Sequence, residues 1–162
     1  MDKAINDWLL HYEKIKEIAE MIHTEELPDE TETLALQRNG VEPLPLKYIN
    51  EKGWYRQYQY ILLLKSNSED DIQRLENLDW LDDLSEWIHQ KNISRDYPIL
   101  KNKQIKNISC ANAITYETSE DGSISTYYLQ LYFNIKGGIW NGRKFNNIKR
   151  CNGIWWSTLF WN

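Results

Sequence analysis

The alternation of apolar and polar positions from Trp54 onward predicts a long β-strand at the centre of the fold. Because Ile61–Leu64 is apolar on both predicted faces, this end of the strand is expected to be central in its sheet and covered on each side. One face is predicted to carry Arg56, Tyr58, Tyr60, Leu62 and Leu64, and the other Tyr55, Gln57, Gln59, Ile61 and Leu63.

A change of period after the strand predicts a long helix over residues 68–91. Ser68 is the expected N-cap, and the acidic residues that follow it suit the positive end of the helix dipole. Apolar residues then recur every three or four positions and predict one buried stripe, which consists of Ile72, Leu75, Leu78, Leu81, Leu84 and Ile88.

The N-terminal residues 2–23 fit the amphipathic helix pattern, with Asp2 as the expected N-cap. This helix is predicted to pack its apolar stripe on the sheet. The stripe consists of Ile5, Trp8, Leu9, Tyr12, Ile15, Ile18, Ala19 and Ile22.

The region between the two predicted helices begins with a short strand at residues 33–37 and a turn at Asn39-Gly40. Two prolines in the following stretch exclude a helix and a central strand. The stretch is therefore either an irregular crossing of the surface or a segment that packs into a neighbouring subunit, and its apolar residues keep both possibilities open. The candidate contact residues in and just after this loop are Leu44, Leu46, Tyr48 and Trp54.

The second half of the chain is predicted to form a β-hairpin. After a linker over residues 92–98, a strand is expected at 103–116, a turn around Asp121-Gly122, and a returning strand at 125–135. On the first strand Ile108, Cys110, Asn112, Ile114 and Tyr116 are expected to share a face. Together these elements predict an α+β fold, with an antiparallel sheet of about four strands flanked by two main helices.

Composition indicates a soluble protein that is made in the cytosol. The 162 residues suit one domain with appendages, and no apolar run approaches the roughly 20 residues that span a bilayer. The net charge of −5 disfavours a protein that holds DNA by neutralising its phosphates. The two cysteines, Cys110 and Cys151, are too few for a disulfide scaffold or a zinc site. No cofactor is expected, and the lack of a long apolar run means that no membrane partner is expected either.

The charge changes sign at the C-terminus, which divides the chain into a domain over 1–136 and an extension over 137–162. The domain holds 15 Lys and Arg against 24 Asp and Glu, whereas the extension holds four basic residues and no acidic residue. Four of the eight tryptophans also lie in the extension, and Trp140, Trp155 and Trp156 are candidate partner contacts. The extension is expected to be an arm for a partner, a segment docked on its own domain, or a dispensable addition.

Signals for catalysis are weak, and no enzyme activity is expected. None of the three histidines has metal-ligand spacing to another ligand-type residue, and the chain contains no phosphate-binding loop or nucleophile motif. Acidic pairs occur at Asp70-Asp71 and Asp82-Asp83, within a helix of eight acidic and two basic residues. This density suits a solvated face or a positively charged partner, such as the basic end of another copy.

The order of several short motifs resembles the tail terminator, or "minor capsid", proteins of long-tailed phages that infect Gram-positive bacteria. The resemblance covers roughly residues 33–135, and the stretch after Lys136 departs from the family pattern. The motifs, in chain order, are VEPLP at 41–45, YINEKG at 48–53, RQYQYILLLKS at 56–66, Trp87-Ile88, PIL at 98–100 and TYYLQLYFNI at 126–135.

The resemblance implies a structural virion protein that assembles in the host cytoplasm. Such proteins form a ring, typically a hexamer, which caps the major tail-tube protein and offers its other face to the head connector or stopper protein. DNA would only pass through the lumen of the ring. The acidic helix is expected to face either this lumen or a basic neighbour. The alternatives are another head-tail connector or completion protein, a small acidic monomeric adaptor or inhibitor, and a hydrolase that binds metal through its paired carboxylates.

Overall fold

A computed structural model describes residues 1–41, 43–49, 53–111 and 113–137, with the backbone alone for 44–49. The α+β class is confirmed, but the expected four antiparallel strands and two helices are wrong in detail. The described residues form three helices and a mixed seven-stranded sheet. The elements are α1 (Asp2–Leu9), α2 (Ile15–Ile18), β1 (Ile22–Thr24), β2 (Thr33–Arg38), β3 (Leu44–Ile49), β4 (Gly53–Asn67), α3 (Asp71–Ser94), β5 (Lys103–Cys110), β6 (Ile114–Thr118) and β7 (Ile124–Gly137).

The centre of the sheet is the antiparallel pair β4–β7, which runs in register from Trp54↔Gly137 to Asn67↔Ile124. The predicted face of β4 is confirmed at its apolar end, where Tyr60, Leu62 and Leu64 are buried. These side chains pack on the buried residues of β7, and the Tyr60 ring lies edge-on to the Phe133 ring with 5.5 Å between the centroids. The expectation that this end is covered on both sides is wrong. Ile61 and Leu63 stay half-buried, because α1 and α3 bury their apolar residues in the core of the opposite face.

The strands that flank the central pair β4–β7 are interrupted on both sides. β2 and β3 run in the same direction along one edge of β4, because β7 occupies the other edge. The expected turn at Asn39-Gly40 is therefore wrong. Gly40 has a positive φ of 68°, but the chain continues along β4, and the Asn39 N–H donates to the Gln59 carbonyl at 3.2 Å. The expected irregular loop is also wrong, since its middle forms β3 with a register shift between Pro45 and Lys47.

The predicted strand 103–116 is likewise two strands, β5 and β6, which share the free edge of β7. Its residues do not share one face. Ile108 is buried and Cys110 is half-buried, whereas Ile114 and Tyr116 are exposed, with Tyr116 edge-on to Tyr128. The pairing changes from Cys110↔Leu131 to Ile114↔Tyr128, which places Ile114 on the face of the sheet opposite to that of Cys110. The hairpin turn is confirmed, because Gly122 has a φ of 75° and its N–H donates to the Ser119 carbonyl at 2.9 Å.

The single helix predicted over residues 2–23 is wrong. α1 ends at Leu9, i→i+3 hydrogen bonds follow, and β1 pairs in parallel with β2, which a helix cannot do because its backbone groups bond internally. The Asn6 side chain fixes this return by donating to the Ile22 carbonyl at 2.8 Å. The expected burial is nevertheless confirmed for Ile5, Trp8, Leu9, Tyr12, Ile15, Ala19 and Ile22.

Helix α3 begins later than predicted, at Asp71. Asp70 is the N-cap and accepts a hydrogen bond from the Gln73 N–H at 2.8 Å. Ser68 is instead fully buried at the end of the sheet, where its hydroxyl lies 2.7 Å from that of Ser125. The predicted stripe is correct at Leu81, Leu84 and Ile88 but wrong at its start, because Ile72 and Leu75 are 67% and 61% exposed.

An aromatic cluster holds the N-terminal segment on α3. The rings of Trp8 and Tyr12 lie 4.9 Å and 5.4 Å from that of Trp87, and the Trp8 indole N–H donates to the Asp96 carbonyl at 3.0 Å. Such aromatic pairs add about 0.5–1.5 kcal/mol each beyond the burial of their area. The N-terminus and α3 are thereby fixed as one layer on the sheet.

Candidate interaction surfaces

The exposed face of α3 is acidic from Asp71 to Glu86. Of the four predicted residues, Asp70 caps the helix, Asp71 pairs with Arg74 at 3.0 Å and Asp83 pairs with Lys14 at 2.5 Å, while Asp82 is exposed. The two predicted acidic pairs lie about 17 Å apart along the helix, so the structure does not bring them together. The exposed carboxylates are Asp71, Glu76, Asp79, Asp82, Asp83 and Glu86.

The first turns of α3 combine this charge with exposed apolar surface. Ile72 and Leu75 lie among carboxylates within an arc of about 140° around the helix axis. Their exposed fractions, 67% and 61%, are high for large aliphatic side chains. We call the group Asp71, Ile72, Leu75, Glu76 and Asp79 the acidic patch.

A second exposed apolar residue lies just beyond the C-terminus of α3. Ile99 is 92% exposed. It borders one depression of about 360 Å³ together with Lys3 and Lys101, and another of about 460 Å³ together with Arg95 and Lys106. Asp7 also lines the first depression. We call Lys3, Arg95, Ile99, Lys101 and Lys106 the basic patch.

The sequence analysis missed the basic patch, although the chain carries a signal for it. Residues 97–116 contain three lysines and no acidic residue, and Pro98-Ile99-Leu100 is an apolar run that follows the basic Arg95. The stretch was expected to be a linker, whereas α3 extends through Ser94 and a tight loop follows it. Arg95 ends the helix in the left-handed conformation, at φ 57°.

Trp54, a predicted partner contact, packs within its own chain. Its ring lies 4.8 Å from the Arg56 guanidinium carbon and 6.4 Å from the Tyr58 ring. Lys103 Nζ lies 5.0 Å from the Tyr58 ring and 5.8 Å from the Trp54 ring. Because a Cβ on Gly137 would come within 2.2 Å of the indole, only glycine fits at this end of β7.

The side chains of the other predicted contact residues are not described by the structure. Leu44, Leu46 and Tyr48 belong to β3, of which the backbone alone is described. Trp140, Trp155 and Trp156, and with them residues 138–162 of the predicted extension 137–162, lie outside the described residues.

Groups that could support catalysis are few in the described part of the chain. Burial raises the pKa of the Cys110 thiol to about 11, which keeps it protonated at neutral pH despite a hydrogen bond with Ser85. In the ranges that the structure describes, no group of three or more His, Cys, Asp or Glu residues is arranged to hold a metal ion. Within the same ranges, no helix combines the length and hydropathy of a membrane span.

Comparison with known proteins gives no relative: no protein-family model matches the chain, and no curated protein matches it.

Proposed function

We propose that the protein is a structural, non-catalytic subunit of a phage particle, a tail terminator that caps the tail tube as a ring. The observation that carries the proposal is the order of the terminator-like motifs along the chain. These motifs lie on successive elements. In PLP, Pro43 precedes β3 and Leu44-Pro45 begins it, while RQYQYILLLKS lies in β4, Trp87-Ile88 in α3 and TYYLQLYFNI in β7. The protein would act in the virion after assembly in the host cytoplasm.

A ring explains how such a subunit ends tail growth. A head-to-tail contact whose rotation closes gives a ring, usually of six copies in terminators. One face of the ring matches the end of the tube and binds it. The other face lacks the tube's own binding surface and instead meets the head connector or stopper protein, so no further tube subunit is added.

The acidic face of α3 supports this role in one of two positions. If it lines the lumen, its exposed carboxylates repel the phosphates of passing DNA, so the genome slides without sticking. If it meets a basic neighbour, it contributes to the contact between subunits. Asp82 and Glu86, near the middle of α3, are the exposed residues that suit the lumen.

The proposal is tested on tail tubes. A major tail-tube protein from the genome that encodes this chain is polymerised with and without the purified protein, and tube length is measured by negative-stain electron microscopy. We expect the added protein to stop elongation and to give a ring of density at one tube end. The head-completion protein of the same phage is the matched control, because it should not bind the bare tube.

Other outcomes distinguish the alternatives. A ring that binds the head-completion protein but leaves tube length unchanged would indicate another connector. A monomer at all concentrations, with no effect on tubes, would contradict the ring and favour an acidic adaptor. A titration with Mg²⁺, Mn²⁺ and Zn²⁺, followed by a hydrolase assay, tests the enzyme alternative, for which we expect no activity.

A further inference from the structure

Two exposed apolar centres of opposite charge lie at opposite ends of α3. The acidic patch surrounds Ile72 and Leu75 in the first turns of the helix, and the basic patch surrounds Ile99 just after its last turn. From Leu75 to Arg95 the helix axis advances by about 30 Å. The two patches therefore cannot contact each other within one chain.

Each patch combines exposed apolar surface with nearby charged residues. Exposure to water is unfavourable for large aliphatic side chains that stay more than half exposed. Burying them against another apolar surface would stabilise the complex. Charged residues around an apolar centre orient the approach of a partner and exclude partners of the same charge. The acidic patch requires a basic rim on its partner, and the basic patch requires an acidic rim.

We infer that the acidic patch of one copy binds the basic patch of the next, so that the protein associates head-to-tail along α3. The occupant of each patch is a second copy of this chain, because the chain itself carries both halves of the match. This inference rests on the proposed ring and names the surface between its subunits. A contact between two different patches leaves one of each unused on every open assembly, so association continues; it ends in a ring when the rotation between neighbours closes, as the proposed function requires.

The inference assigns the first turns of α3 to a neighbour and not to the lumen. Ile72 and Leu75 gain nothing from facing a water-filled channel, whereas the exposed Glu76 and Asp79 beside them attract a basic surface. Because part of the attraction is between exposed charges, association should weaken when the salt concentration rises from about 0.05 to about 0.5 M.

The test uses two full-length variants that each remove one patch. Ile99→Asp breaks the basic patch, and Ile72→Asp combined with Leu75→Asp breaks the acidic patch. We expect each variant alone to be monomeric in sedimentation velocity, with the apparent dissociation constant raised at least about tenfold. Mixed in equal amounts, the two variants retain one intact patch of each kind, so they should form a heterodimer and no larger species.

Met21→Asp is the matched control, because Met21 is 56% exposed and belongs to neither patch. It should associate like the wild type. Circular dichroism and thermal unfolding establish that all variants fold, which the exposure of the altered residues favours.

Three results would overturn the inference. If both variants form the wild-type ring, the subunits meet through another surface, and the proposed function stands without this contact. If only the α3 variant dissociates, the acidic patch binds something else, such as residues 138–162. A wild-type protein that is monomeric at every concentration would overturn both the inference and the ring.

Discussion

Asp2 ties the first helix to the sheet through two charge-assisted contacts. The Tyr60 hydroxyl donates to Asp2 Oδ1 at 2.6 Å, and the Arg38 guanidinium pairs with the same carboxylate. Burial raises the pKa of Asp2, but the hydrogen bonds from Arg38 and Tyr60 outweigh it, so that its pKa is lowered. Burial is also the largest cause of the raised pKa of Tyr60, whose hydroxyl stays a donor at neutral pH.

We expect Asp2→Asn to lower the free energy of unfolding at pH 7 by about 1–2 kcal/mol, because Arg38 and Tyr60 lose a charged acceptor. A lowered folded-state pKa stabilises the fold above the unfolded value of about 3.9. That contribution disappears as the pH falls through the folded pKa. Urea unfolding followed by Trp fluorescence should therefore show a gap between variant and wild type at pH 7 that narrows below about pH 4.

Asp79→Asn is the control, since Asp79 is exposed in the middle of α3. It should change the free energy of unfolding by less than about 0.5 kcal/mol. A gap for Asp2→Asn that persists at acid pH would mean that the carboxylate charge is not what stabilises the contact.

Helix α3 and strand β5 are joined by the side chain of Asn92. Its carbonyl oxygen accepts from the Ile108 N–H at 2.9 Å, and its amide donates to the Ile108 carbonyl. The side chain thus serves both backbone groups of Ile108, close to the register shift between Ile105 and Asn107. The helix thereby holds the outer strand in place beside the buried face of the sheet.

Replacing Asn92 with Ala should lower the free energy of unfolding by about 2 kcal/mol, because two backbone groups of a buried residue lose their partner. Hydrogen exchange should show faster exchange at the Ile108 amide than in the wild type. Gln90→Ala, an exposed position on the same helix, should leave that amide unchanged. Equal protection of Ile108 in both variants would contradict the role of Asn92.

The two errors in the prediction of α3 and β5 have different physical origins. Ile72, Leu75, Leu78, Leu81 and Leu84 are spaced three residues apart, and each such step turns by about 60° around the helix. Only the later members face the sheet, so the sequence alone could have shown that Ile72 points away. The break between Cys110 and Ile114 could not be predicted, because it depends on how β7 pairs with two strands at once.

The long central strand β4 was predictable because alternation over many residues fixes which side chains share a face. Tyr60, Leu62 and Leu64 were predicted on one face for this reason, and all three are buried. In the N-terminal segment, the spacing of apolar residues predicted the burial but not the secondary structure. Its stripe identified the buried residues, but a stripe does not reveal where a helix gives way to a strand that pairs with a distant partner.

The molecule as a whole separates charge, with acidic residues along α3 and basic residues beyond its C-terminus and in the extension. The extension carries four basic residues and four tryptophans. Exposed ion pairs contribute only about 0–1 kcal/mol each, whereas buried indole area contributes roughly 25 cal/mol per Å². If the extension docks on the domain or on the next copy, apolar burial should dominate its binding.

Ending the chain at Gly137 should then lower the thermal stability or block assembly, and the effect should be largely insensitive to salt. Two full-length variants separate the causes. Changing Trp140, Trp155, Trp156 and Trp161 to Ser should reproduce the truncation, while changing Arg143, Lys144, Lys149 and Arg150 to Gln should have a small effect. A truncated protein that assembles like the full chain would identify the extension as dispensable.

The interrupted outer strands also determine how copies of this protein can avoid forming fibrils. An open sheet edge is a template on which further strands add, and a concentrated assembly protein is at particular risk. Here one edge includes β3 with Pro45 and a register shift, and the other changes strand between Cys110 and Ile114. In the described ranges, neither edge offers a long uninterrupted row of backbone donors and acceptors, so strand addition is disfavoured and any association of copies falls to side-chain surfaces.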